Sequence, residues 1–467
     1  MKILEIFLIY LLIQSSQGSS SSNIVFVYEH VRHGARSPLF AGGSINYVDH
    51  FGTKWEGASI LTAIGKRTHY ILGIQNRIKY NSLINFAKLD TNEVAIFSTN
   101  SARTLQSIQA ELQAMYLPGT LEPLTEEELA VALPPIKEIP SKVFEEVKQL
   151  NHSTIINGIN VFPIQFSPPK KLRLNEPEYC PYMSYYQKQL ENEMQNEINS
   201  FLKDFDEKFG EKLQKYFKMS NRDFIYDFNF MELIISDEFI CNYFQGSKFS
   251  EFNTQTNISI DEFFTYMTQL KDYYIFHINI DKKSGVMASS PQMRDLVKYM
   301  ENIIQNKTRT PKMVIQGGHD TTINYIQYFM YSVFHIPIKY IPFASNLYFE
   351  LHKNDSTESG YYIEYISDGV SLMKKDFDDF KAKVLKAVWS EEEIDNFCNN
   401  KQEETHEINS ENEKYLISNM ILLIVCCVSF VLISIFLTLF IYYCKKSKNH
   451  DSLYIHETIL SESEKDN

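Results

Sequence analysis

Three segments of the chain share one order of hydrophobic and polar residues, in which a short apolar run leads into a polar turn and, further on, an amphipathic helix. The runs begin at Asn23 (NIVFVYEHVRHGARSP), at Val94 (VAIFSTNSARTLQSIQAELQAMYLP) and at Lys312 (KMVIQGGHDTTINYIQYFMYSV). The runs do not alternate between apolar and polar residues, which is typical of strands buried on both faces. The pattern predicts an α/β fold with a mostly parallel central sheet flanked by helices.

Two other patterns complete the predicted architecture. The segments NLYFELH from Asn346 and GYYIEYI from Gly360 predict a strand pair that extends the sheet. Residues 125–251 are rich in charged and aromatic side chains, and we expect a helical insertion domain there, within an α/β core of residues 19–124 and 252–390. Apolar residues three or four positions apart predict one long amphipathic helix in the insertion, with its aromatics in the core rather than in a ligand site: Met194, Ile198, Phe201, Phe205, Phe209, Leu213 and Phe217.

Both ends of the chain carry segments that lie outside this core. Residues 1–18 combine a lysine, an apolar run and small residues, which predicts a cleaved signal peptide; a buried helix interrupted by Glu5 is the alternative. Residues 391–414 lose apolar character and predict an acidic stalk. Residues 415–443 predict a transmembrane helix, because the run from Met420 to Tyr442 contains no charged residue.

The sequence after the predicted span sets its orientation. The segment CKKSK follows the apolar run directly, and lysines on one flank identify the cytoplasmic side of a span. Residues 444–467 are therefore predicted to be a cytoplasmic tail. We expect a single-pass type I membrane protein of the lysosome, endosome or cell surface, with its folded part lumenal or extracellular.

Composition narrows the possible partners and the compartment. The 467 residues carry a net charge of -13, which argues against nucleic acid as a partner. Three cysteines fall on the oxidising side of the predicted span, so one disulfide and one leftover thiol is the simplest arrangement: Cys180, Cys241 and Cys398. The same part contains four sequons for N-glycosylation: Asn151, Asn257, Asn306 and Asn354.

Candidate chemistry is concentrated in the three polar turns. They contain three arginines, two histidines and an aspartate: Arg32, His33, Arg36, Arg103, His319 and Asp320. Ligands of an open parallel sheet bind at the carboxyl ends of its strands, where these turns meet. So many cations need an anion between them, and a phosphate group suits the bidentate guanidinium fork. Gly34 beside His33 would let the backbone approach that ligand closely.

Plainer interpretations remain for single residues. Each arginine taken alone could be a solvated surface residue, and each histidine an ordinary core residue. His30 and His33 could be imagined as metal ligands, yet no cysteine or carboxylate cluster at ligand spacing accompanies them. Guanidinium groups would also repel a nearby cation. We therefore expect no metal and no cofactor.

The motifs resemble those of the histidine acid phosphatases, a branch of the histidine phosphatase superfamily. RHGARSP resembles the family's R-H-G-x-R-x-P signature, LTAIGKRTHYILG its L-T-x-x-G segment, STNSARTLQS its S-T-x-x-x-R-T segment and GGHDTT its His-Asp motif, in order over residues 24–366. The resemblance implies that His33 is the nucleophile and Asp320 the acid that protonates the leaving group. It implies phosphate binding by four further residues: Arg32, Arg36, Arg103 and His319.

The sequence also departs from the family pattern. Asn100 replaces an aspartate after the Ser-Thr pair, and Asn346 stands where many members have a cysteine. The family partner of that missing cysteine corresponds to Cys241, so the resemblance implies a Cys180–Cys398 disulfide and leaves Cys241 as a buried free thiol.

The function that the resemblance implies is metal-independent hydrolysis of phosphate monoesters through a phosphohistidine. An ordinary aspartic acid has a pKa near 4, so a protonated Asp320 would require an acidic working pH. The alternatives are a phytase-like or lipid-phosphate phosphatase on the same scaffold, and an inactive receptor-type ectodomain. A homodimer is a possible assembly.

Overall fold

The described part of the chain, in this computed structural model, covers most of the region predicted to fold. It comprises residues 23–40, 47–117, 123–132, 134, 141–153, 161–167, 180–274 and 281–400. The predicted signal peptide, the span at 415–443 and the tail at 444–467 lie outside these residues, as does the stalk beyond residue 400. Within the described residues, no helix is both long enough and apolar enough to cross a membrane.

A seven-stranded sheet with the order β5-β4-β6-β1-β7-β8-β9 forms the centre of the fold. The first four of these strands pair in parallel, and β1 pairs antiparallel with β7, which begins an antiparallel half. The sheet is therefore mixed rather than mostly parallel. The strands are β1 (Ile24–Arg32), β2 (Tyr47–Val48), β3 (Lys54–Trp55), β4 (Val94–Ser98), β5 (Gln165–Phe166), β6 (Met313–Gly318), β7 (Asn346–Lys353), β8 (Tyr361–Ser367) and β9 (Val370–Asp376), with β2 and β3 forming a separate pair.

Helices cover both faces of the sheet and form the insertion. They are α1 (Ala63–Tyr80), α2 (Ala102–Met115), α3 (Glu126–Val131), α4 (Ser141–Lys148), α5 (Pro181–Phe205), α6 (Glu211–Phe217), α7 (Asp223–Tyr226), α8 (Asp237–Phe244), α9 (Ser250–Thr256), α10 (Ile260–Tyr273), α11 (Lys282–Ile304), α12 (Asp320–Phe334), α13 (Phe377–Ala387) and α14 (Glu391–Cys398). Two π-helical turns, Asp206–Gly210 and Phe230–Ser236, precede α6 and α8.

Alternate residues of β1 enter two separate cores, which explains why its sequence is apolar without alternation. Phe26 and Tyr28 pack on one face with side chains from α11 and α12. Val27 and Val31 pack on the other face with side chains from α1 and α2. Because helices cover both faces, the core is a three-layer α/β/α arrangement.

The helical insertion has a core of its own, made largely of aromatic rings. The predicted amphipathic helix is present as α5, a π-helical turn and α6, which follow one another without a break from Pro181 to Phe217. Phe205 and Phe209 are buried against Phe263 of α10. The same apolar cluster extends to Leu270. The helical layer thus continues past residue 251, the predicted end of the insertion, as far as α10.

The predicted stalk begins with an ordered helix. Helix α14 occupies its first residues, where Ser390 caps the helix and Ile394 is buried in the core. Cys398 at the end of α14 forms a disulfide with Cys180, and Cys241 is a buried free cysteine. Folded structure therefore continues at least to the end of α14.

Candidate active site

The strand register brings the three polar turns to one edge of the sheet. Arg32 at the end of β1 lies beside Gly318 at the end of β6, and Ser98 at the end of β4 lies beside Gly317. The residues that follow these strand ends include His33, Arg103 and His319, and all three interact electrostatically. Hence the structure assembles the residues predicted from the sequence into one cluster.

His33 is a buried imidazole with a defined tautomer. Its Nδ1 lies 2.9 Å from the carbonyl oxygen of Gly34, and a carbonyl can only accept, so Nδ1–H is the donor. The lone pair is therefore on Nε2. Burial, followed by the charges of Arg32 and the other site cations, lowers the pKa of His33 well below its ordinary value. The ring consequently stays neutral in mild acid.

Each site arginine is anchored through its terminal nitrogens. Arg32 donates to the Ile341 carbonyl at 2.5 Å and to Asp320 at 2.7 Å. Arg36 forms a fork with both carboxylate oxygens of Asp237, at 2.8 and 3.0 Å. Arg103 donates to Ser59 Oγ at 2.7 Å and to His319 Nδ1 at 3.2 Å. These contacts fix the far ends of the guanidinium groups.

The inner nitrogen of each of these arginines has no partner. The Nε atoms of Arg32, Arg36 and Arg103 are all buried and lack a hydrogen-bond acceptor among the described residues. A buried donor without an acceptor costs about 1–3 kcal/mol. Three such donors, on arginines whose charges all act on His33, are therefore an arrangement that an anion with several oxygens would complete.

His319 is the second histidine of the cluster. Because its Nδ1 accepts from Arg103, its Nε2–H donates to Thr99 Oγ1, 3.1 Å away. Burial and then Arg103 lower its pKa to about 3. Its ring lies edge-on to His33, with 5.4 Å between the ring centroids. His319 is thus a neutral group that links Arg103 to Thr99, directly after the end of β4.

Asp320 begins α12 and pairs with Arg32. Burial by itself would raise the pKa of Asp320, but Arg32 and then Lys271 outweigh it and hold the pKa well below the ordinary value. The free site therefore contains a carboxylate, which differs from the ordinary acid assumed in the sequence argument. Protonation of Asp320 requires that the charge of Arg32 be taken up by something else, and a bound phosphate dianion would do this.

Gly34 lies in close contact with helix α1. A Cβ at Gly34 would lie 2.5 Å from the backbone oxygen of Gly65 in α1. The turn that carries His33 therefore packs closely against α1 at this glycine. This contact also explains the glycine of the LTAIG segment.

Residues of the insertion, and Phe343 in the loop before β7, also lie at the site, and no pattern in the sequence marks them. Asp237 on α8 holds Arg36 and also accepts the backbone N–H of Leu39 at 2.7 Å. Lys271 on α10 is buried, pairs with Glu232 at 2.5 Å and acts on Asp320. Phe343 lies under the Arg32 guanidinium, 4.3 Å from the ring centroid. Acidic and aromatic residues are too frequent in this chain for any of these to stand out by spacing.

Among the described residues, a group that could offer ligands to a metal lies at the other end of the sheet: Glu350, His352 and Glu364. His352 pairs with Ile24 at the start of β1, whereas the site lies after the end of that strand. Lysines 79 and 374 pair with the two glutamates. The negative charge of this cluster is therefore already balanced by the two lysines. His30, the other histidine considered as a ligand, is buried and stacks on Tyr28.

The chain belongs to branch 2 of the histidine phosphatase superfamily, whose family model matches residues 23–368. A stretch of 112 residues is 33% identical to the lysosomal acid phosphatase of Xenopus laevis, covering 24% of this chain and 25% of that protein. The chain thus matches about a quarter of the length of this relative.

Solved structures share the fold at low sequence identity. The phytase of Hafnia alvei in complex with tartrate gives a TM-score of 0.53 at 10% identity, covering 80% of this chain and 99% of that one. The phytase of Klebsiella sp. ASR1 gives a TM-score of 0.50 at 10% identity, covering 79% and 96%. These likenesses show a shared fold.

Asp237→Asn is expected to lower kcat/KM for phosphate esters by roughly tenfold to a hundredfold, because a loosened Arg36 no longer holds its Nε edge toward the substrate. Steady-state kinetics on the purified variant measures this effect. Asp206→Asn is the matched control, since Asp206 is a buried carboxylate of the insertion whose partner, Arg222, is not an arginine of the site. Equal losses in the two variants would show that Asp237 acts through stability alone.

Proposed function

We propose that the protein is an acid phosphatase that hydrolyses phosphate monoesters through a phosphohistidine at His33, without a metal ion. The observation that carries this proposal is an imidazole with a free lone pair on Nε2, acted on by three arginines whose buried Nε donors have no partner among the described residues. Phosphoryl transfer requires mainly positioning and stabilisation of charge on the transferred oxygens. Arg32, Arg36 and Arg103 supply both.

The reaction has two steps on this arrangement. Nε2 of His33 attacks phosphorus, an N–P bond forms, and the P–O bond to the alcohol breaks while Asp320 gives its proton to the leaving oxygen. Water then attacks phosphorus, the N–P bond breaks, and Asp320 takes the water proton as phosphate is released. Covalent catalysis thereby divides one difficult hydrolysis into two easier steps.

The shifted pKa values of the site favour work in acid. A histidine with an ordinary pKa would be largely protonated, and not nucleophilic, at pH 5. Burial and the neighbouring arginines lower the pKa of His33, so its neutral form persists there. Asp320 gains its proton only when a bound phosphate offsets Arg32, and this step becomes easier as pH falls. Both effects place the pH range of activity on the acid side.

The ion pairs near the site favour a simple monoester over a polyphosphorylated substrate. A narrow cleft beside Arg32 is lined partly by Asp237 and Asp272. Lys271, which also lines it, is paired with Glu232. Arg32 is paired with Asp320, so the lining offers no unpaired cation to the further phosphate groups of a polyphosphorylated substrate. We therefore favour the acid phosphatase over the phytase-like alternative.

The proposal includes a cellular location for the protein. We expect the catalytic part to be lumenal or extracellular, anchored by the predicted span, in lysosomes, endosomes or at the cell surface. The disulfide supports an oxidising compartment. Asn151, Asn257 and Asn306 are exposed and Asn354 is half-buried, which is compatible with glycosylation of these sequons. Their occupancy and the homodimer stay predictions.

The full chain is expected to hydrolyse p-nitrophenyl phosphate with an optimum below about pH 6, because neutral His33 and protonated Asp320 coexist there. Activity should survive incubation with EDTA, since arginines rather than a metal ion carry the charge stabilisation. The measurement is the rate across pH with and without the chelator. Loss of activity on chelation that zinc or magnesium restores would contradict the metal-free mechanism.

A further inference from the structure

The turn that carries His33 is hydrogen-bonded to helix α2. Ser107 Oγ accepts the backbone N–H of Gly34 at 3.0 Å and donates to the Arg103 carbonyl at 2.7 Å. Glu111 lies one turn further along α2 and is fully buried. Residues four positions apart lie on one side of a helix, so Arg103, Ser107 and Glu111 form one line that begins at the candidate active site.

The peptide group between Arg32 and His33 is hydrogen-bonded at both of its polar atoms. Its N–H, which belongs to His33, donates to the Gly318 carbonyl at 2.9 Å. Its carbonyl, which belongs to Arg32, lies 3.0 Å from Nε2 of His69 on α1. A carbonyl can only accept, so His69 donates through Nε2–H. The fully buried His69 therefore fixes the orientation of the peptide group that precedes His33.

A proton lies between His69 and Glu111. Nδ1 of His69 is 3.1 Å from Oε2 of Glu111, and a neutral imidazole that donates through Nε2 has only a lone pair on Nδ1. Two lone pairs at this distance would repel each other unless one of the two atoms carried a proton. Burial lowers the pKa of His69 to about 4 and raises the pKa of Glu111 to about 8. In mild acid the proton is therefore on Glu111, and both side chains are neutral.

The other oxygen of Glu111 is hydrogen-bonded as well. Nδ2 of Asn76 on α1 donates to Oε1 of Glu111 at 2.9 Å and to Oε2 of Glu29 at 3.0 Å. Oδ1 of Asn76 accepts from the Tyr348 hydroxyl at 2.9 Å, which sets the orientation of the amide. All four side chains are buried, and within the described part of the chain no lysine or arginine pairs with either glutamate. Hydrogen bonds to neutral groups thus hold Glu111 in place.

We propose that Glu111 and His69 are positioning residues: protonated Glu111 orients His69, and His69 holds the peptide group before His33 so that Nε2 of His33 is aimed at the phosphoryl group. The proposal rests on the proposed role of His33 as the nucleophile. Both residues act through that peptide group and not on the substrate. The guanidinium groups of the site have anchoring contacts of their own, so loosening the peptide group should slow phosphoryl transfer without weakening phosphate binding.

The first arm of the test measures the burst rate of phosphoryl transfer in the full chain with p-nitrophenyl phosphate. Glu111→Leu should lower this rate roughly tenfold to a hundredfold, the scale expected for a misplaced reacting group. The inhibition constant of inorganic phosphate should stay within about twofold of the wild-type value, because the lost contact does not bind phosphate. Glu111→Gln should keep the burst rate within about threefold of wild type, because an amide offers the same donor and acceptor as a protonated acid.

Glu350→Leu is the matched control. Glu350 is another buried carboxyl group that accepts a hydrogen bond from α1, through Tyr80, but it lies at the other end of the sheet. Its removal should lower stability and leave the burst rate unchanged. If Glu111→Leu does not fold, His69→Asn takes its place. An asparagine can keep the contact with Glu111 but is too short to reach the Arg32 carbonyl, so the same loss of burst rate is expected.

The second arm does not depend on catalysis. Hydrogen exchange of the His33 and Gly34 amides, both hydrogen-bonded in the wild type, should be about tenfold or more faster in Glu111→Leu, because the turn opens locally. Glu111→Gln and Glu350→Leu should exchange there as the wild type does. Faster exchange in Glu111→Leu, together with an inactive wild type, would overturn the proposed function and still support the hold of the network on the turn.

Three results would overturn the positioning role. The first is a folded Glu111→Leu protein with an unchanged burst rate or unchanged exchange of the two amides. The second is a Glu111→Gln protein as slow as Glu111→Leu, which would mean that an ionised carboxylate is required. The third is a phosphate inhibition constant that rises in proportion to the lost burst rate, which would mean that the substitution disrupts the binding site as a whole.

Discussion

His33→Ala is expected to lower the turnover of phosphate monoesters by roughly a thousandfold or more, on the scale seen when other catalytic nucleophiles are removed. The reason is geometric. His33 is the imidazole whose Nδ1 is tied to a carbonyl and whose Nε2 is left free among the three arginines. His319 cannot replace it, because Arg103 donates to its Nδ1 and Thr99 accepts from its Nε2.

The control for this variant is His30→Ala. His30 lies on the same strand and is also buried. Its pKa is lowered by burial, without a contribution from the arginines of the site. Removing it should lower stability without removing turnover. Circular dichroism and thermal melting would establish that both variants fold. A folded His33→Ala protein that kept a tenth of the wild-type rate would refute the assignment of the nucleophile.

Asp320→Asn is expected to show the second large effect, which should depend steeply on the leaving group. An alkoxide needs a proton as it leaves, whereas p-nitrophenolate is already stabilised. Glycerol phosphate or a nucleoside monophosphate should therefore react roughly a hundredfold or more slowly, within the range of general acid catalysis. Transfer from p-nitrophenyl phosphate should be comparatively spared.

The Asp320 variant must be tested on the step that transfers the phosphoryl group to the enzyme, because the later hydrolysis of the intermediate could be slowed as well. The asparagine also leaves Arg32 without its carboxylate, so tighter binding of inorganic phosphate is expected. Burst kinetics on both substrates separates transfer to the enzyme from hydrolysis of the intermediate. Equal losses in the burst phase, in a folded protein, would mean that Asp320 is structural and that the proton comes from another group.

The sequence predicts the centre of the fold well, because β1, β4 and β6 are buried on both faces and retain the apolar pattern of such strands. The pair β7 and β8 is also present as predicted, and its pairing is antiparallel. The edge strands β5 and β9 carry no comparable signal. Strand β5 has only two residues, and β9 contains polar residues that are at most partly buried. Their pairing is fixed by neighbours in space, which local pattern does not encode.

The candidate site likewise has a part that the sequence pattern reveals and a part that only the fold determines. Arginines and histidines at strand ends are visible in the sequence, because parallel strands end at one edge of the sheet. The fork between Arg36 and Asp237 joins residues 201 positions apart, and no local motif marks it. The low pKa of Asp320 likewise results from Arg32 and from Lys271 of the insertion. Sequence therefore indicates which groups meet, whereas their protonation depends on the packing of the insertion over the sheet.

The most direct test of the account is to trap the phosphorylated enzyme. The full chain is mixed with a radiolabelled phosphate monoester at acidic pH and quenched in alkali, in which phosphohistidine survives, and the labelled peptide is then located by mass spectrometry. The account predicts one phosphoryl group per chain, on Nε2 of His33, formed at a rate at least equal to turnover. Label on a serine or an aspartate, or steady turnover with no covalent label at any time, would contradict it.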